Sequence, residues 1–379
     1  MPDYAGCSFM FPVHLIMLHR KSSSHPIMKR MLVILTHGGI GDIILATPVL
    51  KSLKEELSLE YLAILVSSYT EDIIRDNPYL DEILIDVDPQ DKNKRAPFFH
   101  LLRKIKSYNF DGAILLWSTA RFAWLIYLAG IPVRVGQDFR LLYSFLYTHR
   151  VPLRSLLGDR ESHWVECLMD FPRQIGAGRL EPELCLPIRE IYKKEIEELL
   201  EGKGISKKNL LIGFHPGRGL DITDVNWPYE NFAQIGDAIQ TELKVHLVLT
   251  GGEKEKELIG RIEGSMKTSP VNMAGKLSLM HLAALINRCN VFISMDSGPM
   301  HMASACKTPV IAIFALKSDL PPRWKPYKTK HVIVRKDVSC TDKCIKEKCR
   351  HFSCLHELSV QDILEPLKGL LKNDEQRNS

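Results

Sequence analysis

The sequence predicts an α/β protein of two Rossmann-like, doubly wound domains that face each other across a cleft. Three observations carry this expectation. Short aliphatic runs alternate with helical stretches, the pattern of a parallel sheet with crossover helices. The alternation restarts past the middle of the chain, after a charged connector. The length of 379 residues exceeds what one core usually organises. Hydrophobic residues at 45% and charged residues at 25% exclude a disordered chain, a collagen-like fibre and a small disulfide scaffold. No charge-free run of about eighteen apolar residues occurs, so no spanning helix is expected.

The first domain is expected over residues 31–190. It opens on Met31-Leu32-Val33-Ile34-Leu35-Thr36, an aliphatic run suited to a buried parallel strand. A helical pattern follows, with Ile43, Leu45, Ala46, Val49, Leu50, Leu53 and Leu57. Tyr61–Val66, Ile83–Val87 and Ala113–Trp117 are further predicted strands, with helices over 98–107 and 120–129. Pro187 to Lys208 is charged and helix-prone and serves as connector. The second domain, 191–358, repeats the pattern. Its strands are predicted at Leu210–Phe214, Val245–Thr250, Val291–Ser294 and Pro309–Phe314, and its helices at Tyr229–Gln240, Lys254–Ile262 and Leu279–Asn287. Residues 359–379 supply one amphipathic helix, Val360–Leu371, and a frayed tail.

Charge is unevenly spread. The net charge of +5 is too small to announce a nucleic-acid binder, and none is expected. Residues 91–160 hold twelve basic and four acidic residues, residues 1–30 four and one, and the remainder is net negative. A basic face or cleft in the first half suits an anionic partner, as it also suits a merely solvated surface. Residues 1–30 lack the order of a signal peptide: Asp3 stands where positive charge belongs, and Pro12 and His14 interrupt the apolar run. They are expected to be disordered or to precede the natural start, with a weak membrane anchor as the other reading. Nine cysteines, an odd number, point to a reducing compartment. Four cluster at Cys340, Cys344, Cys349 and Cys354. Thiolates suit zinc or iron–sulfur, but these spacings contain no C-x2-C pair, and buried thiols or a disulfide are the preferred expectation.

Several loops have residues for binding anions. Gly38-Gly39-Ile40-Gly41-Asp42 joins the first strand to its helix, where ligands bind in open α/β folds. Asp42 there is either a functional carboxylate or a first-turn cap. The spacing is not Gly-x-Gly-x-x-Gly, and no acid closes the second strand, which argues against a dinucleotide. Asp296-Ser297-Gly298-Pro299-Met300-His301 follows a strand, with Ser297 as N-cap and Pro299 early in the helix. Backbone N–H groups at such a start suit a diphosphate, and His301 in the first turn can donate to it. The bland alternative is a capped core helix with a packed histidine. Gly217 and Arg218 follow the first strand of the second half, where a guanidinium can clamp phosphate or sit in a solvated turn. Gly251-Gly252-Glu253 ends another strand and leaves room for a base or ribose. Lys276 lies in a turn before a helix.

Taken together these motifs resemble glycosyltransferase family 9, the lipopolysaccharide heptosyltransferases. The resemblance rests on Gly39-Ile40-Gly41-Asp42 with Ala46-Thr47-Pro48, on His215-Pro216-Gly217 with Trp227-Pro228, and on Ala274-Gly275-Lys276 with Leu279. Its most specific part is Asp296-Ser297-Gly298-Pro299-Met300-His301 with Thr308-Pro309. The segment Cys354-Leu355-His356-Glu357-Leu358-Ser359-Val360 looks like the tail of heptosyltransferase II-type members.

The resemblance implies a GT-B architecture, with acceptor on the first domain, nucleotide-sugar on the second, and the terminal helix crossing back to the first. It implies inverting transfer of L-glycero-D-manno-heptose from an ADP-sugar to the lipid A-core of lipopolysaccharide, without metal or cofactor. Asp42 is then the base, and Gly38, Gly39, Ile40 and Gly41 form the acceptor-side loop. Gly217, Arg218, Gly251, Gly252, Glu253, Lys276 and Asp296 to His301 meet the donor. Many members carry a lysine two positions before the Trp-Pro pair, where this chain has Val225. Arg218 or Lys276 replaces it, or the donor differs. The alternatives are a family 9 transferase using another nucleotide-sugar and a GT-B nucleotide-sugar 2-epimerase. A lipid-linked acceptor further implies a cytoplasmic protein working peripherally at the inner membrane, with residues 91–160 supplying the contact.

Overall fold

The computed structural model describes residues 28–87, 94–139, 142–217, 228–314, 321–339 and 352–378, with side chains as far as Lys372. Expectations for residues 1–27, Arg218, Val225, Trp227, Cys340, Cys344 and Cys349 fall outside the described residues.

The first domain runs β1 (Arg30–Leu35), α1 (Ile40–Glu56), β2 (Tyr61–Val66), α2 (Glu71–Ile74), β3 (Glu82–Ile85), α3 (Phe98–Ser107), β4 (Gly112–Leu115), α4 (Ala120–Leu128), β5 (Val133–Gln137), β6 (His149–Val151) and α5 (Trp164–Arg173). The second runs α6 (Glu190–Glu201), β7 (Leu211–His215), α7 (Tyr229–Leu243), β8 (His246–Leu249), α8 (Lys256–Ser265), β9 (Val271–Asn272), α9 (Leu279–Arg288), β10 (Val291–Met295), α10 (Gly298–Ala305), β11 (Val310–Ile313), α11 (Pro321–Trp324), β12 (His331–Val334), α12 (Ser353–His356) and α13 (Val360–Asn378).

Among the described residues each domain holds a six-stranded sheet, in the orders β3-β2-β1-β4-β5-β6 and β12-β11-β10-β7-β8-β9. These are one topology used twice. Every described pairing is parallel. The strands are apolar on both faces because both faces are covered. In β1, Met31, Val33 and Leu35 join the core shared with α1 and α5, while Leu32 and Ile34 join the core under α3 and α4. The first of these cores continues without a break into the second domain through Met280, Ala283, Met300 and Ala303 of α9 and α10.

Two seams join the domains. Helix α1 packs on α10 and α2 on α9. On the other side, the Tyr327 hydroxyl donates to Glu166 Oε1 at 2.7 Å, Arg323 Nη2 donates to the Asp159 carbonyl at 2.8 Å, and the Trp164 and Trp324 rings lie 5.2 Å apart.

Two expectations need correction. Met28 to Arg30 belong to the folded domain and not to an extension: Met28 is buried, and the N–H groups of Lys29 and Arg30 both donate to Asp111 Oδ2. The terminal helix does not cross back to seat itself on the first domain. Its stripe of Ile363, Leu364, Leu367 and Leu370 is buried in the second domain's outer core, and α13 packs on α7 and the second sheet. An ion pair of Lys368 with Glu242 of α7 holds it there. No helix among the described residues is long and apolar enough to cross a membrane.

Candidate active site

In a doubly wound sheet the ligand crevice opens beyond the carboxyl ends of the strands where strand order reverses. Those points are β1/β4 in the first domain and β7/β10 in the second. The helix after β1 is α1, which starts at Ile40; the helix after β10 is α10, which starts at Gly298. The fold sets these starts against each other. A Cβ on Gly41 would lie 2.6 Å from Cδ2 of His301, and one on Gly298 would lie 3.0 Å from Cβ of Ile40. Any larger residue at position 41 must displace the His301 ring or the domains themselves, so the glycine permits their closest approach.

Asp42 occupies the first turn of α1, partly buried beside this seam. Its Oδ2 accepts from the Gly39 N–H at 2.8 Å, one half of a capping box. Burial pushes its pKa above the ordinary aspartate value, opposed by the Gly39 N–H. The carboxylate is thus fixed in orientation and made a stronger base. Gly38 takes the left-handed backbone conformation, φ +97°, that brings the loop around this carboxylate. Gly39 is the N-cap residue.

The start of α10 is different. Ser297 holds the N-cap position, but its side chain makes no cap bond and instead donates to the Met295 carbonyl at 3.1 Å. No acid lies in the first turn, and Pro299 has no N–H to satisfy. His301 is buried, its Nδ1 has no hydrogen-bond partner among the described residues, and its ring edge faces Gly41. Burial, with His163 nearby, pushes its pKa down to about 3, so the ring is neutral. In this arrangement His301 serves the seam between the domains as well as the helix start.

The other donor-side residues converge on the same edge of the second sheet. Thr250 N–H donates to the Phe214 carbonyl, and Gly275 N–H donates to the Gly251 carbonyl at 2.9 Å, so the 216–217, 251–252 and 275–276 loops are neighbours. Lys276 is exposed and turns back, donating to the Asn272 carbonyl at 2.7 Å. Glu253 is exposed and pairs with Lys256 at 2.7 Å.

The buried acid is Glu255, which the sequence reading passed over. Its Oε2 accepts from Gly252 N–H at 2.8 Å and lies 3.7 Å from His215 Nε2. A Cβ on Gly217 would collide with its carboxylate. The Gly252-x-x-Glu255 spacing is a capping-box signal that could have found it. His163 was also missed. It caps α5 by accepting from Val165 N–H at 3.1 Å, which leaves Nε2 to donate to the Lys325 carbonyl at 2.8 Å. It therefore ties the two domains together as a neutral ring, and burial pushes its pKa down to about 4.

On the first domain, a cavity of about 170 Å³ opens at the ends of β1, β2 and β3, lined by Thr36, Ser67, Asp86 and Arg95 among others. Asp86 is buried and faces the guanidinium groups of Arg95 at 3.9 Å and Arg121 at 3.5 Å. Arg95 Nη2 also lies 3.3 Å from His37 Nε2. The region has basic groups at its mouth. Of the four clustered cysteines, Cys354 is described and is buried in the outer core of the second domain.

Comparison with known proteins bears on the fold and the family. Lipopolysaccharide heptosyltransferase 3 of Escherichia coli is 26% identical over 296 residues, covering 76% of this chain and 83% of its own length. The crystal structure of a family 9 glycosyl transferase from Veillonella parvula superposes with a TM-score of 0.77 at 25% identity, covering 91% of this chain and 98% of that one. The structure of E. coli ADP-heptose lps heptosyltransferase II shares the fold, with a TM-score of 0.72 at 22% identity over 92% of this chain and all of that one. The two sheets with the topology just described are therefore a GT-B architecture. The model of glycosyltransferase family 9 (heptosyltransferase) matches residues 98–354, and the chain belongs to that family.

Proposed function

We propose that this protein transfers a heptose from ADP-L-glycero-D-manno-heptose to the inner core of a lipid A-linked oligosaccharide, inverting the anomeric centre. The single observation that carries the reading is the apposition of the two switch points, Gly41 against His301 and Ile40 against Gly298. It brings the turn that carries Asp42 on one lobe beside the start of α10 on the other.

Asp42 takes the proton of the acceptor hydroxyl as its oxygen attacks the anomeric carbon. The bond from that carbon to the diphosphate breaks on the opposite face, and the nucleoside diphosphate leaves with the electron pair. The N–H groups at the start of α10 and its dipole stabilise the charge that grows on the leaving group. Gly251, Gly252 and Gly217 leave space for the nucleoside. Arg218 and Lys276 remain the candidates from the sequence to supplement that helix start. Glu255 holds the Gly252 turn through its N–H. The basic mouth with Lys94 and Arg95 receives the anionic groups of the acceptor, whose lipid anchor would bring the work to a membrane surface.

The test is product formation with ADP-heptose and defined core acceptors, run in parallel with UDP- and GDP-sugars. A heptosylated core of inverted configuration, formed only with ADP-heptose, is expected. Product formed without acceptor, or only with another donor, contradicts the reading.

A further inference from the structure

The layer of α3, α4 and the 3-10 turn Ser144–Leu146 covers one face of the first sheet, and among the described residues its outer side is left without a covering element. Helices here normally turn charged or polar residues outward. This layer instead exposes large apolar side chains: Phe99 70%, Trp124 39%, Tyr127 47%, Leu128 45% and Phe145 59%. They are not scattered. Trp124 packs edge-on against Tyr127 at 5.8 Å and against Phe145 at 6.2 Å, forming one aromatic cluster across α4 and the turn. A contiguous exposed apolar patch marks an interaction surface.

The charge around it selects the partner. Along α3 the chain carries Arg103, Lys104 and Lys106, and the first acid after them is Asp111. That acid is turned inward, accepting the N–H groups of Lys29 and Arg30. Arg103, Lys104 and Lys106 stand exposed on α3, which packs directly beside α4. Arg134 lies over the Tyr127 ring at 5.5 Å. Aromatic rings at headgroup depth, flanked by basic side chains that meet anionic headgroups, are the composition of a peripheral membrane face. A second copy docking here would bring the same positive excess against itself.

We propose that the outer face of α3, α4 and the Ser144–Leu146 turn is a docking surface for an anionic phospholipid bilayer. The inference rests on the proposed lipid-linked acceptor for its purpose, but it is tested apart from it. The face lies on the domain that carries the basic cavity, so docking would hold that cavity near lipid-anchored substrate.

The experiment is vesicle flotation of the full chain, with phosphatidylglycerol-containing and pure phosphatidylcholine vesicles at low and high salt. Two variants accompany it: Trp124→Ser/Phe145→Ser, and Lys104→Glu/Lys106→Glu at exposed positions that leave the core untouched. The wild type is expected to float with the anionic vesicles, less so at high salt, and not with the zwitterionic ones. Each variant is expected to lose partitioning by about tenfold or more. Turnover of a deacylated, water-soluble core acceptor is expected to stay unchanged in both. Variants that float like the wild type, or a wild type that ignores anionic vesicles, overturn the proposal. So does a dimer in sedimentation that the aromatic variant dissolves, because a second copy then covers the face. Failure of the wild type to turn over the water-soluble acceptor counts against the transferase reading alone.

Discussion

The starts of α1 and α10 each stand at the switch point of their own sheet, after its first strand in one domain and its fourth in the other, and they are finished in opposite ways. At α1 the chain supplies its own anion: Asp42 accepts from Gly39 N–H and occupies the positive end of the helix. At α10 Ser297 turns away to the Met295 carbonyl and no acid enters the first turn. A helix start already neutralised by its own carboxylate is a poor phosphate site, but it holds that carboxylate rigidly. A start left uncapped is a ready anion site. In the proposed mechanism this difference divides the chemistry: proton removal falls to the first lobe and leaving-group stabilisation to the second.

The largest expected effect comes from removing the base. Asp42→Asn should lower kcat by about 10³-fold while circular dichroism and Tm show a folded protein. In the wild type, the acid limb of the kcat profile should lie above the range of an ordinary aspartate, since burial raises the Asp42 pKa. Next is the seam. Gly41→Ala puts a methyl group 2.6 Å from His301 Cδ2, and kcat should fall by about 10–100-fold as the His301 ring or the lobes themselves are displaced. A Gly41→Ala/His301→Ala double variant that recovers part of the loss would localise the effect to that contact.

Making the α10 start resemble that of α1 sharpens the comparison from the other side. Ser297→Asp should raise stability by about 0.5–1 kcal/mol through capping, and should raise donor KM by about tenfold through repulsion of the diphosphate. A stabilised variant with unchanged KM would show that the helix start is only structural.

The effect least felt in turnover concerns His163, which ties the lobes together. Its pKa falls from an ordinary 6.5 to about 4 in the folded protein. The unfolded chain therefore takes up the proton first as pH falls. Stability from this group is fully present above pH 6.5 and is lost as pH drops toward about 4. Urea unfolding of His163→Asn should show a loss between about pH 7 and about pH 5 that is smaller than the wild type's by about 2 kcal/mol.

Much of this was legible in the sequence because buried parallel strands are continuous aliphatic runs. β2 was predicted at its observed bounds, Tyr61–Val66. β1, β7, β10 and β11 were placed to within a residue or so at either end. β5 was not seen, because Arg134 interrupts Val133 and Val135. That guanidinium serves the Leu146 and Ile131 carbonyls instead of projecting as a charge. The edge strands β6 and β9 have three and two residues, too short for any period to register.

The stripe on α13 was readable, but a stripe does not say which core will cover it, and it went to the second domain. In the site, the glycine loops and the Ser-Gly-Pro start were legible as local turn and cap chemistry. The apposition of Gly41 with His301 was not, because it joins residues separated by most of the chain. Glu253 and not Glu255 is the acid named from the sequence, because burial two residues apart cannot be read from a polar loop. The structure exposes the first and buries the second.

The division of labour between the two helix starts is tested most directly by calorimetric binding of ADP to Asp42→Asn and to Ser297→Asp. The account predicts an unchanged Kd for the first, which has lost turnover, and a clearly weaker Kd for the second. If Asp42→Asn weakens ADP as much as Ser297→Asp does, or if Ser297→Asp binds ADP like the wild type, the two starts do not play separate roles and the account fails.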